Sequence, residues 1–492
     1  MMNSTIRRII AIIFFTLITL LFLDFTGTVH TWFGWMAKIQ FLPALLALNV
    51  GIVVGLIALT LIMGRIYCSV ICPLGIFQDV IAWIAGKTKK NRYSYSKPLS
   101  WLRYGMLALF VVAMVAGVGS LVALLAPYSA YGRMVSNLVS PLYLWCNNLL
   151  AGWAEQAGSY VFYPTEVWIK GGATLIVAVV TLVALVVLAW RNGRTYCNTI
   201  CPVGTVLGFL SRFSWLKPVI DTQKCNSCGL CARNCKAACI DSKNHTIDYS
   251  RCVVCLDCVD KCKKGALKYV PRKKAVHAGA ENVDKGKRAF MTATAIATTV
   301  GIAQAQRKKL DGGLAAVSRQ QKPLRETPIV PPGALSARNF AQHCTACQLC
   351  VQACPNQVLR PSTDMMKLMQ PEASYERGYC RPECTKCSEV CPAGAIRPID
   401  RAEKSSIQIG HAVWIEKNCV VNTDGVSCGN CARHCPTGAI QMVPKDANDP
   451  KSPKIPAINT ERCIGCGACE NLCPSRPFSA IYVEGHEVHR EI

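Results

Sequence analysis

The chain has 492 residues and 30 cysteines, with 51% apolar residues, 17% charged ones and a formal net charge of +25. That length excludes a small secreted scaffold held by disulfides. The charge alone would suggest a nucleic-acid partner. The Lys and Arg residues sit in the gaps between long apolar runs, however, so a basic membrane protein with no nucleic-acid partner is expected.

Four apolar runs, at about 9–25, 44–63, 101–126 and 173–190, have the length needed to cross a bilayer, for which about 20 residues suffice. Each is nearly free of charge and ends in Arg, Lys, Trp or Tyr, which argues against a buried core helix. Arg7 and Arg8 precede the first run. Arg65, Lys87, Lys89, Lys90, Arg92 and Lys97 fill the loop between the second and third, and the chain from 191 to 288 is rich in Lys and Arg. The loops at 26–43 and 127–170 carry few. The asymmetry puts the N-terminus, the 64–100 loop and the region after 190 on the inner side.

This half is an internal duplication. Gly64-Arg-Ile-Tyr-Cys-Ser-Val-Ile-Cys-Pro-Leu-Gly75 matches Gly193-Arg-Thr-Tyr-Cys-Asn-Thr-Ile-Cys-Pro-Val-Gly204 at eight of twelve positions. The repeating unit is a helical hairpin that ends in C-x3-C-P. Cys68, Cys72, Cys197 and Cys201 could meet across the repeat interface as a metal site, as a redox-active dithiol pair or as helix-turn packing. The unit spans 1–215.

A cysteine-rich domain follows at 216–275. Cys225, Cys228, Cys231 and Cys235 form one motif; Cys252, Cys255, Cys258 and Cys262 form a second. Three cysteines two residues apart wrap one corner of a [4Fe–4S] cubane, and the fourth, three residues on, ligates the neighbouring cluster. Cys262 would then complete the first cluster and Cys235 the second. Cys239 is a rival to Cys235, and spacing favours Cys235. Zinc sites tend instead to part into two C-x2-C pairs about a dozen residues or more apart.

Residues 276–339 read as a linker. Gly286-Lys-Arg-Ala-Phe-Met-Thr292 resembles a twin-arginine export signal with Lys287 in the first arginine place, and a mildly apolar run ends at Ala303-Gln-Ala305. The expectation is a fifth span or an embedded signal, against a plain cytoplasmic linker helix.

The last domain, 340–492, carries four motifs, all ending in Cys-Pro. They are Cys344, Cys347, Cys350, Cys354; Cys380, Cys384, Cys387, Cys391; Cys419, Cys428, Cys431, Cys435; and Cys463, Cys466, Cys469, Cys473. No cysteine is left over here, which suits an oxidising compartment. Six quartets predict six [4Fe–4S] clusters. At −2 each they would lower the formal charge of +25 to roughly +13. The fold class expected is an α-helical membrane domain of four or five transmembrane helices plus α+β bacterial-ferredoxin-like polycluster domains.

On these motifs, residues 1–270 resemble the NapH-type membrane quinol dehydrogenase subunit. Residues 285–492 resemble the NapG/MauM-type four-cluster ferredoxin, particularly in Gly410-His-Ala-Val-Trp-Ile-Glu-Lys-Asn-Cys419 and the long gap to Cys428. The chain then looks like a fusion of two partners. The resemblance implies a protein of the bacterial inner membrane, with its last domain periplasmic. It would pass electrons from the quinone pool to a periplasmic reductase or cytochrome. It also implies nested motifs. Cys473 would join Cys344, Cys347 and Cys350; Cys354 would join Cys463, Cys466 and Cys469. Cys435 would join Cys380, Cys384 and Cys387; Cys391 would join Cys419, Cys428 and Cys431.

None of the eight histidines lies inside an apolar run, so no bis-His haem is expected in the bilayer. Asp24, His30, Trp32, Trp35, Glu155 and Glu166 could line a quinol site near the outer surface, although residues of these types collect at that depth anyway. Two other readings stay open: an accessory protein that keeps a metalloenzyme reduced or assembled, and a cytoplasmic ferredoxin:quinone reductase. There is no P-loop, Rossmann glycine pattern or flavin motif, which speaks against nucleotide-driven chemistry.

Overall fold

A computed structural model describes residues 4–24, 26–88, 93–271, 310–311, 315–316, 320–446, 448–449 and 452–492. The twin-arginine-like segment and the apolar run that ends at Ala305 lie outside the described residues.

The first part is helical. Its main helices are α1 (Ser4–Leu23), α2 (Val50–Met63), α3 (Pro73–Thr88), α4 (Ser100–Val115), α5 (Pro127–Met134), α6 (Ser140–Gln156), α7 (Gly172–Asn192) and α8 (Pro202–Ser211). One π-turn, Val135–Val139, joins α5 to α6. Ile18, Leu21, Phe22, Phe110 and Leu185 face inward and are buried, whereas Ile12, Val54, Val112, Val115 and Val180 are exposed. These helices therefore carry apolar side chains on the outside as well as in the core.

Two of the four expected runs are broken. Leu48 takes φ 52°, and the Asn49 side chain accepts from Ile52 N and starts α2 there. Gly117, at φ 72°, ends the run of α4. A left-handed residue cannot continue a helix, so these runs bend. Among the described residues, only α1 and α7 are long and apolar enough to cross a membrane by length and composition. Helices α2 and α4 have 14 and 16 residues.

The two-motif module hangs on an antiparallel pair, β1 (Leu216–Ile220) with β2 (Leu267–Pro271), under two short helices, Leu230–Arg233 and Asp257–Lys261, which pack together. The four-motif module repeats this plan twice. The Leu349–Ala353 helix packs on Lys386–Val390, and Asn430–Arg433 packs on Ala468–Asn471. A long pair, β3 (Ile407–Trp414) with β4 (Ile481–Glu491), spans the module in antiparallel register, with Ile481 opposite Trp414.

The two modules sit at opposite ends of α1. At its start, Ser4 donates to Asp260 and Arg8 Nη2 lies 2.7 Å from Asp257 Oδ1. At its far end α1 packs on the Leu349–Ala353 helix. Around that end Asn137 Nδ2 donates to Gln348 Oε1 at 2.9 Å, Gln352 Nε2 donates to Ser140 Oγ at 2.7 Å, and Arg377 pairs with Glu166 at 2.8 Å. Twenty helical residues span about 30 Å.

Candidate metal centres

The C-terminal thiols gather in a pattern that differs from the nested one. One cavity is lined by Cys354, Cys380, Cys384 and Cys387. Another is lined by Cys419, Cys428, Cys431 and Cys473. Cys391 faces Cys344, Cys347 and Cys350. Cys435 faces Cys463 and Cys466, which adjoin Cys469. Each motif thus exchanges its fourth cysteine with the next motif along the chain: first with second, third with fourth. The nested pairing implied by the resemblance is corrected. The reason is local packing. The fourth cysteine follows the short helix of its motif, and that helix lies against the helix of the adjacent motif.

The four quartets form a row. Cys350 is near Cys387, Cys380 N donates to Cys466 O at 2.9 Å, and Cys469 is near Cys431. The quartet of Cys344, Cys347, Cys350 and Cys391 is nearest the helices: a Cβ on Gly132 of α5 would lie 2.6 Å from Cys347 O. The quartet of Cys419, Cys428, Cys431 and Cys473 is at the other end. Tyr375 buttresses the middle of the row, donating from its hydroxyl to Gly465 O at 2.6 Å. Burial pushes the Cys350, Cys387 and Cys469 thiols well above the usual range. Such thiols lose their protons to a metal rather than to solvent.

In the two-motif module, five cysteines line one cavity: Cys235, Cys239, Cys252, Cys255 and Cys258. Cys239 Sγ lies 3.5 Å from Cys235 Sγ and also bonds Cys252. The Cys235–Cys239 hydrogen bond pulls the Cys235 thiol below the usual range and holds that of Cys239 well above it. Cys239 therefore sits within hydrogen-bond reach of two candidate ligands, Cys235 and Cys252. Cys225 and Cys228 lie beside Cys231, and Cys262 packs at the edge of the same core.

The duplicated C-x3-C-P motifs meet. Cys68, Cys72, Cys197 and Cys201 are each 4% exposed, and they face one another across the repeat interface. The arginine of each repeat crosses to the other. Arg65 Nη2 donates to Cys197 O at 3.1 Å, and Arg194 Nη1 donates to Cys68 O at 2.7 Å. Further donors aim at sulfur: Gln78 Nε2 lies 3.2 Å from Cys197 Sγ, and Gly204 N lies 3.3 Å from Cys201 Sγ. Gly75 and Gly204 are needed for this closeness, because a Cβ would lie 2.6 Å from Arg194 Nη1 at the first and 2.9 Å from Arg65 Nη2 at the second. Sequence reasoning passed over Arg65 and Arg194, although both stand at the same place in the quoted repeat. Arg133 and Gln78 carried no signal at all. Among the described residues no three Cys, His, Asp or Glu side chains close on a point as a single ion requires.

The candidate quinol residues do not form one pocket. Asp24 and His30 come together, 3.4 Å apart. Glu166 pairs with Arg377. Trp32, Trp35 and Glu155 are exposed.

Comparison with known proteins agrees with the iron–sulfur chemistry. A family model described as a 4Fe-4S binding domain matches residues 45–91 and 174–220, each holding one C-x3-C-P pair; a 4Fe-4S dicluster domain matches 426–476. The chain is 34% identical to the methylamine utilization ferredoxin-type protein MauM of Paracoccus denitrificans over 167 residues, 32% of this chain and 73% of that protein. It is 32% identical to the ferredoxin-type protein NapG of Escherichia coli over 33% of this chain and 75% of that one, and 29% identical to the ferredoxin-type protein NapF of the same organism over 32% and 87%. No solved structure matches the chain significantly. Over about a third of its length, then, this iron–sulfur electron-transport chain belongs to the MauM/NapG family of ferredoxin-type proteins.

Proposed function

We propose that this is a multi-pass protein of the bacterial inner membrane that takes electrons from the quinol pool and passes them to a reductase or cytochrome on the periplasmic side. The observation that carries the reading is the placement of two cysteine modules at opposite ends of α1, a 20-residue apolar helix. The exposed apolar side chains on α1, α2, α4 and α7 suit lipid contact, since a soluble surface rarely keeps so many together. Residues 1–270 act as a NapH-like half, with four crossings, two of them bent. Residues 340–492 act as the NapG/MauM-like half.

Each quinol gives up two electrons and two protons. Six [4Fe–4S] clusters carry the electrons one at a time. The inner pair is held by Cys225, Cys228, Cys231 and Cys262, and by Cys252, Cys255, Cys258 and Cys235. The four outer clusters use the quartets just described. Electrons enter the outer row at the Cys344 quartet, which abuts α5, and leave from the Cys419 quartet at the far end. For three of the six sites, the fit is supported by cavities lined by four or five sulfurs.

The test is reduction of the anaerobically purified chain by a quinol analogue, followed by EPR, together with protease treatment of intact spheroplasts. The expected results are cluster reduction without added ferredoxin and cleavage of the 340–492 half from outside. Protection of that half in spheroplasts would overturn the reading in favour of a cytoplasmic ferredoxin:quinone reductase.

A further inference from the structure

A cavity of about 660 Å³ lies where the two-motif module meets the helical unit. That volume suits a small ligand or a headgroup. Its basic lining comes from three parts of the chain: Arg8 of α1, Lys87 of α3, and Arg233, Lys236, Lys261 and Lys263 of the module. The carboxylate on its wall is Asp257. That charge is already met, since Arg8 Nη2 lies 2.7 Å from it and Lys236 Nζ 2.8 Å. Asp260 and Asp79 lie 3.6 Å from the same two cations. Lys87, Arg233, Lys261 and Lys263 are exposed and have no ion pair among the described residues. Arg233 donates to Cys228 O at 2.7 Å, a neutral acceptor that leaves its charge in place. The excess is local. Residues 216–271 hold ten Lys and Arg against five Asp, and two 2+ cores on eight thiolates would add about four negative charges. The module as a whole is then close to neutral, while the cavity gathers four cations without carboxylate partners.

An apolar stripe leads to the cavity. Trp83 lines it and is 60% exposed, and Lys87 Nζ sits 4.0 Å from the centre of the Trp83 ring. Val80 and Ile84 of the same helix are exposed too. Positions 80, 83, 84 and 87 share one helical face, so the stripe on α3 ends in a lysine at the cavity. Leu74, Gln78, Ala82 and Ala85 of α3 are buried on the other side. A soluble anion would use the cations and leave the stripe bare. A lipid uses both. Trp is also the residue that collects at a bilayer surface, and basic pockets between membrane helices on the cytoplasmic side suit anionic headgroups.

We propose that this cavity holds the phosphate headgroup of an anionic phospholipid of the inner leaflet, with its acyl chains along Val80, Trp83 and Ile84. This rests on the reading of the chain as an inner-membrane protein with the two-motif module on the cytoplasmic side. Lys87, Arg233, Lys261 and Lys263 supply the charge that attracts the phosphate. The pairs of Arg8 with Asp257 and of Lys236 with Asp79 tie the module to α1 and α3 beside the site, so the cavity is formed before the lipid enters. The lipid then fills the seam between the module and the helical unit.

The test is native mass spectrometry of the full chain in detergent, titrated with dioleoyl phosphatidylglycerol, dioleoyl phosphatidylcholine or inorganic phosphate. Phosphatidylglycerol should bind saturably and about 100-fold more tightly than phosphatidylcholine, since each cation near the surface contributes about fivefold to the affinity for an anionic lipid. On the same scale Lys261→Gln with Lys263→Gln should weaken phosphatidylglycerol about 25-fold and leave phosphatidylcholine where it was. Both side chains are exposed, and an unchanged melting temperature would show that the variant folds. Lys243→Gln is the control, at an exposed lysine of the same module that is not on the cavity's lining; it should change neither lipid. Equal binding of the two lipids, or a double variant that binds phosphatidylglycerol as the wild type does, would overturn the site and leave these lysines to offset cluster charge. Inorganic phosphate that binds as tightly as phosphatidylglycerol would overturn the lipid in favour of a soluble phosphate ligand. A chain that stays monodisperse without detergent would instead strike the membrane reading, and the proposal with it.

Discussion

Gly75→Ala should loosen the junction between the repeats without touching a single sulfur. The added Cβ would lie 2.6 Å from Arg194 Nη1 and closer still to Cys68 O. Carbon contacts are optimal near 3.5 Å, so the start of α3 must retreat by roughly 1 Å. The Cys68 carbonyl belongs to a buried turn and cannot move aside freely. Overpacking of this kind costs about 1–3 kcal/mol. The retreat also stretches the 2.7 Å bond from Arg194 to Cys68 O, a charged hydrogen bond of about 1.5–3 kcal/mol. The sum is roughly 3–5 kcal/mol, or on the order of 10 °C in the unfolding midpoint of a unit this size. Gly204→Ala, its counterpart in the second repeat, should behave alike. Gly86→Ala is the control, since a Cβ there meets nothing within 4 Å and Ala favours the helix by up to about 1 kcal/mol. Thermal unfolding of the detergent-solubilised chain measures all three. If Gly75→Ala and Gly204→Ala melt with Gly86→Ala, the close approach of the repeats is not as described.

Three further outcomes are expected. Cys391→Ser should damage the cluster whose other ligands are Cys344, Cys347 and Cys350, so the signal lost by EPR should be the one that Cys347→Ser also removes; loss of the signal that Cys428→Ser removes would restore the nested pairing. Cys239→Ser should leave both inner clusters in place, because a hydroxyl can still donate to one of the two sulfurs, Cys235 or Cys252. Cys239→Ala should lower one inner potential by about 20–40 mV, a weak hydrogen bond expressed in one-electron terms, and redox-poised EPR reads it. Arg325→Leu should cost the outer module about 3–5 kcal/mol, because it leaves Glu470 buried without the partner now at 2.5 and 2.8 Å. Arg397→Ala, at an exposed pair with Glu403, should cost under about 1 kcal/mol, and limited proteolysis of the two variants compares them.

What was legible in the chain was local. A cysteine's place in a C-x2-C-x2-C loop follows from spacing, since the loop wraps its cluster with its own backbone; four of the six quartets have that spacing, and the Cys380 and Cys419 quartets differ from it by a longer first gap. The duplicated Gly-Arg-x-Tyr-Cys motif marked the repeat, and length with polarity marked the apolar runs. Those runs did not reveal where they break, because one left-handed residue such as Leu48 or Gly117 is selected by the packing around it rather than by composition.

Partnership was decided only in three dimensions. Whether Cys391 meets Cys344 or Cys419 depends on which short helix lies against which, and spacing says nothing of that. The meeting of Cys68 and Cys72 with Cys197 and Cys201 is also a matter of packing: two hairpins far apart in sequence dock so that each arginine reaches the other's carbonyl. Arg133 belongs wholly to the tertiary structure. In sequence it is one cation in a weakly charged loop. In the fold it is a buried guanidinium with no hydrogen-bond partner among the described residues, between Tyr196 and Cys347, because α5 carries it to the place where the helical unit and the outer row touch.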